Sequence, residues 1–320
     1  MPQSTRPQST RSGRIGRSEA TNGLLMISPP AVYAALLLAM PLITILLYSF
    51  WTDGYLTIYR DFQICNYIGE CASYKEVDGA RVVSQAYLGV WSDPLARTLM
   101  LRSLMVSLAV TTITVVLAFP VAYFVSFHVE PSRKSLWLFM ITIPFWTSYL
   151  IRVFLWKVIL GYNGVVNSGL LGIGFIDEPL QWINYNVGAV VITLAHAYAP
   201  FAILPIFVAL EKIDRSLLEA GRDLGETPFM TFLRVTLPLS MAGVVSAVLI
   251  VFIPTIGDYV TPHLIGGPEG KLVANLIQLQ YQKLNNYPLG SALAVSAMVM
   301  VTAVSLLFLF MNRRYLRGPK

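Results

Sequence analysis

The side chains able to do chemistry in this chain are few and scattered. His128, His196 and His263 lie far apart, and no Gly-x-Ser-x-Gly elbow presents a serine nucleophile. The run Gly266-Gly267-Pro268-Glu269-Gly270-Lys271 looks like a phosphate loop. Ile265 holds its first-glycine position, however, and Leu272 follows the lysine where Ser or Thr is required. An ATP site is therefore not expected, and the energy for any work must come from another protein. Two cysteines and three histidines form no cluster with metal spacing. What remains is the chemistry of charges and aromatic faces beside long apolar runs. Asp258 closes one such run in Ile256-Gly257-Asp258-Tyr259. A carboxylate there attracts a cation, and Tyr259 adds an aromatic face, so both are candidates for a substrate path. The rival reading of Asp258 is an interfacial aspartate or a helix-end contact. Trp146, Tyr149 and Trp156 are further path candidates by cation–π contact, with interfacial or packing aromatics as the alternative. Arg152 reads as a side chain snorkelling to the outer interface. Glu211 is the only other acid so close to a span's apolar core.

A second polar feature is the stretch from Glu219 to Pro238, set between two long apolar runs. Ser216-Leu217-Leu218-Glu219 fits a capping box, which starts a helix near Ser216. Ile213, Leu217, Leu218 and Leu224 recur near helical spacing, opposite Arg215, Glu219, Arg222 and Asp223. Gly225 is a natural left-handed stop. Thr227-Pro228 supplies an N-cap and an N1 proline for a second helix. The stretch reads as helix, tight corner, helix; a plain surface loop is the alternative.

These features need a scaffold, and the composition dictates which. The chain of 320 residues is 55% hydrophobic and only 12% charged, where a soluble domain has about 25% charged residues. It is an integral membrane protein. The net charge of +6 comes largely from arginines beside apolar runs, which is a topology signal and not a nucleic-acid footprint. Residues 1–23 form a basic arm expected to be disordered. A first span over 24–50 is too long for a signal-peptide core, with Pro29, Pro30 and Pro41 expected to bend it or delay its start. A polar outer loop, 51–97, carries Cys65 and Cys71. The core, 98–312, holds further spans near 103–127, 136–160, 187–210, 239–256 and 290–311, each close to the roughly 20 residues a bilayer requires. Residues 161–186, rich in Gly and Asn, are a loop with room for a re-entrant or interfacial piece, 257–289 is a loop, and 313–320 is a basic tail. Ala242/Ser246 and Ala292/Ser296 are small pairs suited to close helix packing.

The arm, Arg133 with Lys134, the 211–238 loop and the tail concentrate Lys and Arg on one side, so both termini and that loop are expected in the cytoplasm. Cys65 and Cys71 then face the oxidising side, which favours a disulfide over two free thiols.

The pattern Glu219-Ala220-Gly221, Gly225, Val235, Leu237-Pro238 resembles the cytoplasmic loop of the membrane subunits of ATP-binding-cassette importers. Gly221 and Val235 depart from the usual Ala and Ile. The resemblance extends over about residues 98–310: Pro144-Phe145-Trp146-Thr147-Ser148-Tyr149-Leu150-Ile151-Arg152 with Trp156, Gly164 and Asn167; Leu210-Glu211-Lys212-Ile213-Asp214; and Phe252-Ile253-Pro254 with Gly257-Asp258-Tyr259-Val260-Thr261-Pro262. These are similar to signatures of spermidine/putrescine-type permeases. The resemblance implies an all-α fold: six transmembrane helices with a cytoplasmic coupling helix, the type I importer permease. It implies that Glu219, Ala220, Gly221, Asp223, Gly225, Leu237 and Pro238 serve coupling to an ATPase. It implies a bacterial inner-membrane complex with a second permease, two ATPase subunits and an extracytoplasmic binding protein, contacting lipid and no nucleic acid. ATP and Mg would sit on the ATPase, with no cofactor on this chain. Polyamine import by alternating access is the implied function. The same machine for another small organic solute is the first alternative, and an ion-coupled secondary transporter the second.

Overall fold

The computed structural model describes residues 17–54, 57–180, 183 and 185–316. The chain divides into two units, 1–47 and 48–320. The first contains most of α1 (Arg17–Tyr48), which runs through Pro29, Pro30 and Pro41. Residues 17–23 of the expected disordered arm are thus helical, and the prolines do not delay the start; residues 1–16 lie outside the described residues. Its membrane-length part, Met26–Tyr48, is apolar around its whole circumference, as a span surrounded by apolar partners must be.

The second unit begins with the outer loop, which is more ordered than its composition suggests. Strand β1 (Thr52–Gly54) pairs antiparallel with β2 (Thr57–Tyr59), and β3 (Glu70–Val77) with β4 (Ala80–Leu88). Asp78 and Gly79 both take positive φ, the two-residue turn whose twist matches a hairpin. Cys65 and Cys71 form a disulfide. Between them, the buried Asn66 Nδ2 donates to the carbonyls of Ser49 and Trp51, and its Oδ1 accepts from the Tyr87 hydroxyl. Burial pushes the Tyr87 phenol up from its ordinary range.

Helix α2 (Pro94–Phe127) starts nine residues before the expected span, because Asp93 caps it through Leu95 N–H and Pro94 fills N1. α6 (Val187–Glu211) is capped by Asn186, whose Oδ1 accepts from Ala189 N–H. α9 (Leu237–Ile256) is reached through α8 (Pro228–Thr231) and a π-helical segment, Phe232–Thr236, so one continuous helical path runs from residue 228 rather than from 239. α12 (Tyr287–Leu316) absorbs Arg313 and Arg314 of the expected tail; Arg317 and Lys320 lie outside the described residues. Val110, Val125, Leu194, Ile206, Leu210 and Val251 from α2, α6 and α9 form the main core. With lipid as apolar as leucine, such packing rests on close contact rather than on water exclusion. Gly243 shows this: a Cβ there would come within 2.5 Å of Ala209 Cβ and of the Pro205 carbonyl. Ala292 and Ser296 are buried as expected. Ala242 and Ser246 are not. They face outward, and the Ser246 hydroxyl donates to the Ala242 carbonyl.

The third span departs most from expectation. α3 (Pro131–Thr142) passes into a 3-10 turn, Ile143–Trp146, and α4 (Tyr149–Ile159) then leaves at 87°. Thr147 extends the backbone and caps back onto the Pro144 carbonyl through its hydroxyl. Among the described residues five helices are long and apolar enough to cross a membrane, or six if the bent pair is one span. The expected loops hold short helices: α5 (Val165–Gly172), α10 (Val260–Ile265) and α11 (Val273–Gln282).

Candidate functional site

Between α6 and α8 lies α7 (Arg215–Asp223). Its N-cap is Asp214, not the Ser216–Glu219 box: Asp214 Oδ1 accepts from Ser216 N–H at 3.0 Å. That bond holds the Asp214 carboxyl below the usual aspartate range. The helix ends as the sequence suggests. Gly225 has φ +81°, its N–H donates to the Arg222 carbonyl, and Glu226 N–H donates to the Gly221 carbonyl, the paired bonds of a Schellman stop. Thr227 then caps α8 through Met230 N–H, with Pro228 at N1. Arg234 pairs with Glu226 at 2.9 Å.

Gly221 has a packing reason. It is buried in α7 against α8, and a Cβ would lie 3.3 Å from Thr231 Cγ2, so the position tolerates little bulk. Leu237 and Pro238 open α9. Leu237 N–H reaches back five residues to the Phe232 carbonyl, and Pro238 offers no N–H at all, so the π segment sits where the ordinary ladder is interrupted. Glu219, Ala220, Arg222 and Asp223 are exposed. The expected apolar face of this stretch is only partly covered: Ile213 is buried, whereas Leu217 is exposed and Leu224 and Phe229 are 85% and 68% exposed. The loop therefore presents charges and large apolar side chains together.

A second constellation gathers the path candidates. Tyr149, the first residue of α4, donates to Asp258 Oδ2 at 2.7 Å and lies 2.6 Å from the Thr261 hydroxyl. Asp258 Oδ1 accepts from Val260 N–H at 3.0 Å at the start of α10. Asp258 is 8% exposed, so its carboxylate serves a helix end and a tyrosine rather than standing open. Trp156 Nε1 donates to His196 Nδ1 on α6. Trp146 lies apart on the 3-10 turn, 78% exposed with its ring edge-on to Phe139. Tyr259 turns toward a groove of about 680 Å³ between α9, α11 and α12, shared with Gln278 and Tyr281.

Arg152 does not run out along a straight span, because the 87° break precedes it. Its guanidinium lies 5.4 and 5.8 Å from the Phe145 and Tyr149 ring centres, and Nη1 approaches the Ala197 carbonyl at 3.4 Å. His196 and Thr261 join these candidates only in three dimensions. The signal that could have found them was Pro144 with Thr147-Ser148, a helix break in an otherwise apolar run.

Residues 24–318 match the family described as binding-protein-dependent transport system inner membrane component. The chain belongs to this family. Among its relatives, the spermidine/putrescine transport system permease protein PotB of Haemophilus influenzae is 36% identical over 221 residues, covering 69% of this chain and 77% of that one. The PotB of Escherichia coli is 34% identical over 216 residues, 68% of this chain and 78% of that one. The inner membrane ABC transporter permease protein YdcU of Escherichia coli is 30% identical, covering 65% and 70%. Among solved structures, a chain of a bacterial alginate ABC transporter in complex with alginate pentasaccharide-bound periplasmic protein superposes with a TM-score of 0.66 at 17% identity, over 96% of this chain and 100% of that one. A chain of the MetNI methionine ABC transporter gives 0.53 at 17% identity, over 69% and 96%. Those two likenesses bear on the fold alone. As a permease of this family, the chain is a multi-pass inner-membrane subunit of an ABC importer, and ATP hydrolysis belongs to another component of the system.

Proposed function

We propose that this permease moves polyamines such as spermidine and putrescine, and that α7 is the helix through which it is driven. The observation that carries the coupling reading is the surface of the 211–238 loop. Leu224 and Phe229 stand exposed beside Glu219, Arg222 and Asp223 on a corner fixed by Gly225 and by Thr227-Pro228. A rigid, mixed apolar and charged knob of this kind suits a groove on a soluble partner. In this reading the partner is an ATPase subunit. Glu219, Ala220, Gly221, Asp223 and Gly225 form or shape the contact, and Leu237-Pro238 carries the motion into α9. Both termini and this loop then face the cytoplasm, consistent with the Lys and Arg near Arg133, Lys212 and Arg313. The complex would hold a second permease, two ATPases and an extracytoplasmic binding protein. ATP closure would rock the permeases between inward- and outward-facing states.

The polyamine assignment rests on the PotB relatives; in this conformation both Asp258 oxygens are engaged, so a cation would have to compete with Tyr149 for Oδ2. The test is reconstitution with the cognate ATPase and binding protein in proteoliposomes. Spermidine in the binding protein should stimulate ATP hydrolysis and enter the vesicle. No binding of spermidine or putrescine to that protein would reject the substrate, and unstimulated hydrolysis with a bound solute would reject the coupling.

A further inference from the structure

At the foot of α7 three spans meet in one small polar knot. Lys134, in the first turn of α3, reaches Glu211 Oε1 at 2.6 Å and the Ser126 carbonyl at 2.7 Å. The Ser126 hydroxyl, near the end of α2, donates to the same Glu211 oxygen at 2.7 Å. Arg215, the first residue of α7, also donates to the Ser126 carbonyl, at 3.4 Å. The Lys134 side chain is only 12% exposed and that of Glu211 36%. Separations of 77 and 85 residues are closed here, so the knot adds a polar tie to helices that already pack through Val125, Leu210 and Ile213. Between Glu211 and Arg215 lie only Lys212, the buried Ile213 and the capping residue Asp214.

We propose that Lys134 and Glu211 are positioning residues for energy coupling, fixing the root of α7 to the α2–α3 corner so that force on α7 moves the spans instead of bending the link. The proposal rests on the coupling reading of α7. A flexible connection would let α7 follow its partner without the spans, spending ATP without transport. The pair is suited to prevent this. Lys134 is largely withdrawn from water while Glu211 keeps 36% of its side chain exposed, so screening of the pair is only partly reduced, and the shared Ser126 hydroxyl fixes its geometry. An exposed ion pair of the same length would hold little.

The test uses the full complex in proteoliposomes, with spermidine-loaded binding protein as the probe. Lys134→Met and Glu211→Gln should lower spermidine moved per ATP about fivefold, while the KM for loaded binding protein stays unchanged. The exchanged pair, Lys134→Glu with Glu211→Lys, should regain part of the loss. A merely structural defect would lower the amount of complex, not this ratio. An unchanged ratio in Glu211→Gln, while Gly225→Val abolishes transport, overturns the role of the knot and leaves the coupling reading standing. If Gly225→Val is also harmless, the coupling reading falls and the proposal with it. Should Glu211→Gln fail to accumulate, Ser126→Ala keeps both charges and carries the test; an unchanged ratio there overturns the proposal.

Discussion

The Tyr149 hydroxyl donates to Asp258 Oδ2 at 2.7 Å across 109 residues of sequence, joining the start of α4 to the start of α10. The bond ties the bend of the third span to the end of the fifth. It also divides the duties of one carboxylate. Oδ1 holds backbone N–H groups of α10, while Oδ2 is the oxygen that faces a side chain.

That division makes Asp258 testable by two substitutions. Asp258→Ala removes a buried acceptor and leaves N–H and O–H groups unpaired, at a cost of about 1–3 kcal/mol, so the complex should melt at lower temperature. Asp258→Asn keeps an oxygen for α10, since Asn caps as well as Asp, and keeps a partner for Tyr149. It should insert and assemble normally. If the charge also serves a cation, spermidine uptake by Asp258→Asn falls at equal protein level. Unchanged uptake kinetics would assign the carboxylate to structure alone.

Gly225 is the position where the coupling corner depends on backbone freedom. Its φ of +81° is strained for an L-residue, by about 1–2 kcal/mol, although a Cβ added there would meet no atom within 4 Å. The cost is therefore conformational and not steric crowding by neighbours. Gly225→Val should abolish transport and ATPase stimulation with normal insertion, and Gly225→Asn should retain much of both. Wild-type transport by Gly225→Val sinks the idea that this corner is functional.

What could be read from the sequence was local. Gly225, Thr227-Pro228 and the 187–210 span follow from residue type and apolar length, and the structure places Gly225 in the left-handed stop and α6 at Val187–Glu211. The Asp78-Gly79 turn was equally local, yet the polar composition of 51–97 hid the hairpin around it. The break before Tyr149 was signalled only by Pro144 and Thr147-Ser148 inside a run of bilayer length, and length alone does not reveal a bend. Tyr149 with Asp258, and Lys134 with Glu211, join residues whose spacing carries no period. Such pairs depend on how the spans pack, which hydropathy does not encode.

The outer loop should lose order without its disulfide. Cys65–Cys71 closes a short loop around Asn66, whose side chain links Ser49, Trp51 and Tyr87. Closing so few residues is worth about 2 kcal/mol in the chain-entropy view. Mass spectrometry of non-reduced peptides should find the two cysteines joined. Cys65→Ser with Cys71→Ser should raise hydrogen exchange in β3 and β4 and leave the membrane helices unchanged. Labelling of both thiols by an impermeant reagent without reduction would rule out the bond.

Asp214 sets the pH behaviour expected of α7. Its bonds to Ser216 hold the carboxyl below the ordinary aspartate value of about 3.9, so the ionised form is favoured in the folded helix. The sign follows. The cap contributes fully above the ordinary value and is lost only as pH falls through the lower, folded one. Between about pH 6 and 8 this group should leave stimulated ATPase activity flat. Asp214→Ala removes the acceptor at every pH, frays the first turn of α7 and should lower transport at neutral pH. Asp214→Ser, which keeps an acceptor, should restore most of it. Hydrogen exchange at Leu217 and Leu218 reports the fraying directly. Equal protection and equal transport in Asp214→Ala would show that the first turn of α7 does not need its cap.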